Sequence, residues 1–156
     1  MRVGRILKHA FVPSWIARRA FPARTMRKIE HALKEASQRS RAELRFVAEA
    51  GLPLHTLFAR RSSRRRAEEL FSALKVWDTE HNNGVLVYVQ LVSRHIDIVA
   101  DRGIASRVEQ AEWNAVCREM ELAFARGAYE DGALAAIGRI GALLARHFPK
   151  EQRHAL

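Results

Sequence analysis

The chain reads as an α/β protein, an α/β/α sandwich on a small mixed sheet, with its elements in the order α-β-α-β-β-α-α. Three features predict this. Segment 43–49 alternates apolar and polar residues, and segment 63–77 repeats apolar residues at helical spacing. Segments 85–91 and 95–100 are two further strands in close succession. A strand, a helix and a strand in sequence form a βαβ unit, so the first two strands run parallel with a right-handed crossover. The short connection after the second strand makes the third one antiparallel to it, as a hairpin.

Each element has its own signal. Thr25 is placed to N-cap a helix that carries Met26, Ile29, Leu33 and Ala36 on one face and ends near Ser40. In the first strand Leu44, Phe46 and Ala48 share a side, and Gly51 and Pro53 stop it. Ser63 caps the next helix, with Ala67, Leu70, Phe71, Leu74 and Trp77 inward. A turn at Val92, Ser93 and Arg94 closes the hairpin, with Leu91 opposite Ile96, Val89 opposite Ile98 and Val87 opposite Ala100 on an apolar face. The other face, with Leu86, Tyr88, Gln90, Asp97, Val99 and Asp101, is mixed and only partly covered. Trp113, Val116, Cys117, Met120 and Phe124 line a helix over 109–126, with Gly127 as its C-cap. Ala133, Leu134, Ile137, Ile140, Gly141 and Leu144 line the last helix, over 129–147, where Gly138 and Gly141 permit close packing.

At 156 residues and 48% hydrophobic, the chain suits one domain with a core of its own: a basic arm over 1–22, the α/β domain over 23–149, and a tail over 150–156. Cys117 is the sole cysteine, so it has no disulfide partner within the chain, which fits a cytoplasmic setting. No apolar run reaches the roughly 18 residues of a membrane span. Lys8, His9 and Pro13 interrupt the apolar residues near the start, so no signal peptide is expected.

The net charge is +10, and residues 1–29 hold eight basic side chains and no acid, so the remainder carries only two of those charges. An anionic membrane surface, a membrane protein or another acidic partner would be drawn to that arm. Two readings of the arm stand. Trp15 and Phe21 pack on the domain as a lid, or Phe11, Trp15, Ile16 and Phe21 insert into a membrane with Arg18 and Arg19 at the headgroups, making the protein peripheral to the inner membrane. Arg60, Arg61, Arg64, Arg65 and Arg66 cluster at a helix start, where cations oppose the helix dipole, and Glu68 and Glu69 are their local partners. No aromatic residue interleaves them, and with the body of the chain near neutral, nucleic-acid binding is the weakest reading.

Val76-Trp-Asp-Thr-Glu-His-Asn-Asn-Gly-Val-Leu-Val-Tyr-Val89, followed by Ile96-Asp-Ile-Val-Ala-Asp-Arg-Gly-Ile104, resembles the TPM domain, as does Phe124-Ala-Arg-Gly-Ala-Tyr-Glu-Asp-Gly132. The resemblance covers residues 40–148 and is nearest to the short bacterial branch. It implies a compact α/β/α sandwich. A thylakoid-lumen relative is regarded as an acid phosphatase linked to photosystem II repair, and other relatives are membrane-anchored accessory proteins.

Topology directs attention to one rim of the sheet. The starts of the first two strands and the end of the third share it, which brings together Glu43, the loop with Asp78, Glu80, His81, Asn82 and Asn83, and Asp101 with Arg102. As a metal site, Asp78, Glu80, Asp101, Glu43 and Asn83 would offer hard oxygens to Ca²⁺ or Mg²⁺. Arg102 would clamp a phosphate or other anion, with His81 or Glu80 as catalytic candidates for proton transfer. The alternative is plain turn chemistry, with Asx side chains on backbone donors, Gly84 and Gly103 easing the local backbone, and Asp101 paired with Arg102 or Arg45. Cys117 reads as a buried inert thiol. A binding or accessory module at a membrane surface is the first expectation; the alternative is a metal-dependent phosphatase-like hydrolase.

Overall fold

The structure, a computed structural model, describes residues 10–11, 15–50, 63–91 and 94–150. The strand stop at Gly51 and Pro53, Arg60 and Arg61, Val92 and Ser93, the tail beyond Lys150, and the side chains of Phe11 and Ile16 lie outside the described residues. The elements are β1 (Ala10–Phe11), α1 (Trp15–Ala20), α2 (Ala23–Arg39), β2 (Glu43–Glu49), α3 (Ser63–Ala73), β3 (Gly84–Gln90), β4 (His95–Ala100), α4 (Arg102–Ala105), α5 (Gln110–Ala125) and α6 (Tyr129–His147). The expected order is there, with β1 and α1 added before it and the single turn α4 between β4 and α5.

The sheet order is β1-β2-β3-β4. As the βαβ rule requires, β2 and β3 are parallel, with Glu43 beside Gly84 and Phe46 beside Val87. The hairpin pairs Val85 with Ala100, Val87 with Ile98 and Val89 with Ile96. This register lies two residues from the expected one. Because side chains alternate with a period of two, the same apolar face results. The turn begins one residue early. Gln90 and His95 are the closing pair, and Leu91 is already in the turn, accepting from the amide of Arg94, whose φ is 56°.

One face carries the main core: Leu44, Phe46, Ala48, Val85, Val87, Val89, Ile96 and Ile98 pack against α2, α5 and α6. Helices α2 and α6 approach closely because Gly141 has no side chain. A Cβ there would stand 3.0 Å from the Ala36 Cβ. Gly138, expected to do the same, faces open space. Phe21 is fully buried and sets its ring edge-on to Phe46, Phe124 and Tyr129 at 5.5–5.9 Å. The segment just before α2 is therefore part of the core, whereas Trp15 at the start of α1 is 71% exposed.

Thr25 is not a cap. It lies inside α2, buried, and its hydroxyl donates to Glu130 at 2.9 Å, while Pro22 holds the N-cap position. That bond, together with the Lys28 ammonium, holds the Glu130 carboxyl below its ordinary value.

The second face is covered as well, contrary to the expectation of partial cover. Val47, Leu86, Tyr88 and Val99 pack under Ala67 and Leu70 of α3 and under Val76. Helix α3 stops at Ala73 and the chain turns through Lys75 at φ 56°, which turns Trp77 outward, 49% exposed. Ser63 opens α3 with its hydroxyl on Asp97 of β4 at 2.8 Å.

The described arginines of the run, Arg64, Arg65 and Arg66, are engaged within the protein. Arg64 donates to the Ile98 carbonyl on the outer strand at 2.7 Å and pairs with Glu68, as expected. Arg66 makes a fork to both oxygens of Glu49 at 2.8 and 2.7 Å and lies 3.7 Å from Glu69. Glu49 also accepts from the Tyr88 hydroxyl at 2.8 Å, and Gln90 donates to that hydroxyl. Burial, followed by the nearby Glu49 charge, raises the Tyr88 pKa, so the phenol stays protonated as the donor this cluster needs.

Removing one member of a buried ion pair leaves the other charge uncompensated, at a cost of about 3 kcal/mol. Arg66→Met should therefore lower unfolding stability by about that amount, and adding Glu49→Gln, which removes the charge but keeps an acceptor for the Tyr88 hydroxyl, should restore most of it. Urea unfolding of the two variants checks this; a double variant less stable than the single one contradicts it.

Candidate functional site

The three chain ends do meet on one rim. The Glu43 amide donates to the Asn83 carbonyl at 3.0 Å, and the Asp101 amide donates to the Gly84 carbonyl at 2.9 Å. The Gly103 amide donates to the Asn82 carbonyl, also at 2.9 Å. The loop before β3 is thus stitched to the start of β2 on one side and to α4 on the other. Two glycines make this possible. A Cβ on Gly84 would run into the Val76 carbonyl, and one on Gly103 would stand 2.7 Å from the carbonyls of His81 and Asn82.

The polar side chains at the rim largely serve this backbone. Asp101 N-caps α4 through Oδ1, 2.7 Å from the Arg102 amide, while its Oδ2 is buried without a hydrogen-bond partner among the described residues. The Asn83 amide group donates to the Arg41 carbonyl, and the Asn83 backbone N–H donates to the Thr79 hydroxyl at 3.0 Å. Asn82 adopts φ 53°, a left-handed conformation that asparagine tolerates better than most residues. Arg45, a possible partner of Asp101, instead donates to the Leu74 carbonyl at 2.6 Å and lies 3.9 Å from Glu43. Glu80 and His81 are both exposed and 3.9 Å apart, Asp78 is exposed, and Arg102 points into solvent from the first position of α4.

The hard-oxygen set therefore shares a rim without forming a cage. Among the described residues no three His, Cys, Asp or Glu side chains come together in a group that could hold a metal ion. The physical reason is that the Asx residues and Asp101 satisfy backbone donors and acceptors that a helix-to-strand turn would otherwise leave open.

Beside that stitched loop the rim holds a cavity of about 240 Å³, lined by Arg41, His81, Asn83, Gly103, Arg107 and Phe148. His81, Asn83 and Gly103 lie in segments the sequence singled out. Arg41, Arg107 and Phe148 do not, because each sits in a connection with no motif and they meet only through the fold. The Arg41 amide donates to the Phe148 carbonyl at 2.9 Å, and the Arg107 guanidinium lies over the Phe148 ring at 5.2 Å.

This arrangement of strands, rim and helices can be set beside known proteins. The sequence model of the TPM domain matches residues 18–143. The chain belongs to the TPM domain family. The matched region starts within α1, which agrees with the burial of Phe21. No curated protein matches the chain.

Among solved structures, the BA42 protein of the psychrophilic bacterium Bizionia argentinensis, determined by NMR, is similar at a TM-score of 0.74 and 26% identity. The match covers 86% of this chain and 88% of that one. The N-terminal domain of a protein from P. gingivalis reaches a TM-score of 0.70 at 14% identity, over 96% and 92% of the two chains. The N-terminal domain of the cg2496 protein of Corynebacterium glutamicum reaches 0.65 at 12%, over 96% and 90%. The last two likenesses speak to the TPM fold alone.

Away from the rim, Cys117 of α5 is partly buried beside Asp97 of β4 and Glu121. Burial first, then those two carboxylates, push its thiol up to about 11, as an inert thiol requires.

The two kinds of glycine in this TPM domain should respond oppositely to a methyl group. Gly84→Ala overpacks the Val76 carbonyl and should cost roughly 1–3 kcal/mol or more. Gly138→Ala, in open space on a helix, should gain about 0.5–1 kcal/mol. Urea midpoints of the two variants decide this, and a neutral Gly84→Ala would show that the loop is not held against β3.

Proposed function

We propose that this TPM domain is a non-catalytic binding module that works at an anionic membrane surface, beside a membrane protein. The observation that carries the reading is the outer face of α1 and the first half of α2. Trp15 stands 71% exposed, and Arg18, Arg19, Arg24, Arg27, Lys28 and His31 are all exposed around the same end of the domain. Helix α1 is anchored from below by Ala17 and Phe21, both fully buried, so its outward residues are displayed on a fixed platform. Along α2 a shallow groove of about 550 Å³ runs between the cations and Leu134 of α6.

Indole rings favour the headgroup level of a bilayer, and each cation near an anionic surface contributes about 1 kcal/mol. Acids on this face are few: Glu130 pairs with Lys28 at 3.3 Å and Glu35 with His31 at 3.2 Å. Among the described residues no helix is long and apolar enough to cross a membrane. Contact of this kind would therefore be with the surface.

Because Phe21 is a core residue, deleting the whole arm would damage the fold, and point substitutions on the outer face are the cleaner test. With Arg18→Ala/Arg19→Ala, partitioning onto phosphatidylglycerol vesicles should weaken by about 2 kcal/mol, roughly 30-fold. Trp15→Ala should weaken it further, and the melting temperature should stay unchanged in both. Co-sedimentation measures the effect, with phosphatidylcholine vesicles as the uncharged reference. Equal binding by wild type and variants, or no preference for the anionic lipid, removes the proposal.

A further inference from the structure

We propose that the rim cavity is a binding site for a small oxyanion, a carboxylate or a phosphate, held by Arg41, Arg107 and His81. Four separate passages of chain line this half-open space. They are the link from α2 to β2, the loop before β3, the stretch through α4, and the residues just after α6. Arg41, His81 and Arg107 are exposed residues, and Asn83 and Phe148 are buried. Among the described residues, three of the six that line it can carry positive charge and none is acidic. At about 240 Å³ it is smaller than the roughly 300–1,000 Å³ usual for drug-sized ligands, which suits a compact anion.

Preorganisation supports the same conclusion. The Arg107 guanidinium is already laid on the Phe148 ring, so part of the ordering cost of a long side chain is met before any ligand arrives. Phe148 is itself buried and fixed by its carbonyl's bond from the Arg41 amide. Asn83 is buried and tied to the Arg41 carbonyl, which holds that wall in place. Gly103 brings α4 against the loop carbonyls with no side chain to fill the floor. Guanidinium groups present planar forks of N–H donors that match the oxygens of carboxylates and phosphates.

Among the described residues no group of three His, Cys, Asp or Glu side chains gathers here to hold a metal ion, so the proposal is one of anion recognition by the cations alone. The site is also separate from the proposed membrane face. Arg24 to His31 occupy the first half of α2, and Arg41 follows its far end, across a helix of 17 residues, about 25 Å long.

The test is an amide NMR titration of the full chain with sodium phosphate and, separately, sodium succinate, against sodium chloride at matched ionic strength. Saturable shifts centred on Asn83, Gly103 and Arg107 are expected with at least one of the two anions, and the tighter one identifies the preferred source. Arg107→Gln should weaken that binding about tenfold or more, as should His81→Ala, whose exposed side chain can be removed without touching the core. Shifts that match the chloride control, or saturable binding that neither variant weakens, overturn the site. Vesicle binding by the same variants should stay at the wild-type level, which separates failure of this site from failure of the membrane reading.

Discussion

The structure depends on where β3 begins. Gly84 lies against the Val76 carbonyl so closely that no side chain fits, and it is at once the partner of Glu43 in β2 and the acceptor for the Asp101 amide. Strand β3 is buried along its whole length, between β2 and β4 and between two layers of helices. A slip of one residue would exchange Val85, Val87 and Val89 with Leu86, Tyr88 and Gln90, and would bring the amide of Gln90 into the main core. The other end of the crossover is fixed by the fork of Arg66 on Glu49 and by the Tyr88 hydroxyl. One clamp is steric and the other electrostatic. Between them they set the phase of three strands and thereby place every residue on the rim.

Much of this was legible in the sequence, for reasons specific to each element. The periods of 2 and 3.6 are strong in 43–49, 85–100 and 109–147, and the handedness of a βαβ unit then leaves one arrangement of the rim. The hairpin register was legible only to within two residues, because a shift of two keeps the apolar face. Other features depend on partners remote in sequence. The hydroxyl of Thr25 answers to Glu130, 105 residues away, and nothing local distinguishes that from a cap. Trp77 continues a helical spacing, yet the helix has already ended at Ala73. A single turn such as α4 is too short to show a period.

The candidate site divides along the same line. Its location followed from chain direction, but its chemistry did not. Carboxylates and asparagines converge there in sequence terms, whereas in the fold they close turns: Asp101 caps α4, and Asn83 holds the Arg41 carbonyl. What faces the cavity is basic. Acids elsewhere are similarly engaged, with Glu49 on Arg66, Glu68 on Arg64 and Glu130 on Thr25 and Lys28. On the reading proposed above, the net charge of +10 would draw this TPM domain toward anionic partners.

Cross-strand NOEs in the hairpin test the placement of the rim most directly. With Gly84 at the start of β3, contacts should join Val87 to Ile98 and Val85 to Ala100, with Gln90 and His95 as the last pair. Contacts joining Val87 to Ala100 and Leu91 to Ile96 would instead move Asp101 two residues along β3. The loop before Gly84 would then lose its bonds to α4, and the basic cavity beside it would be lost with them.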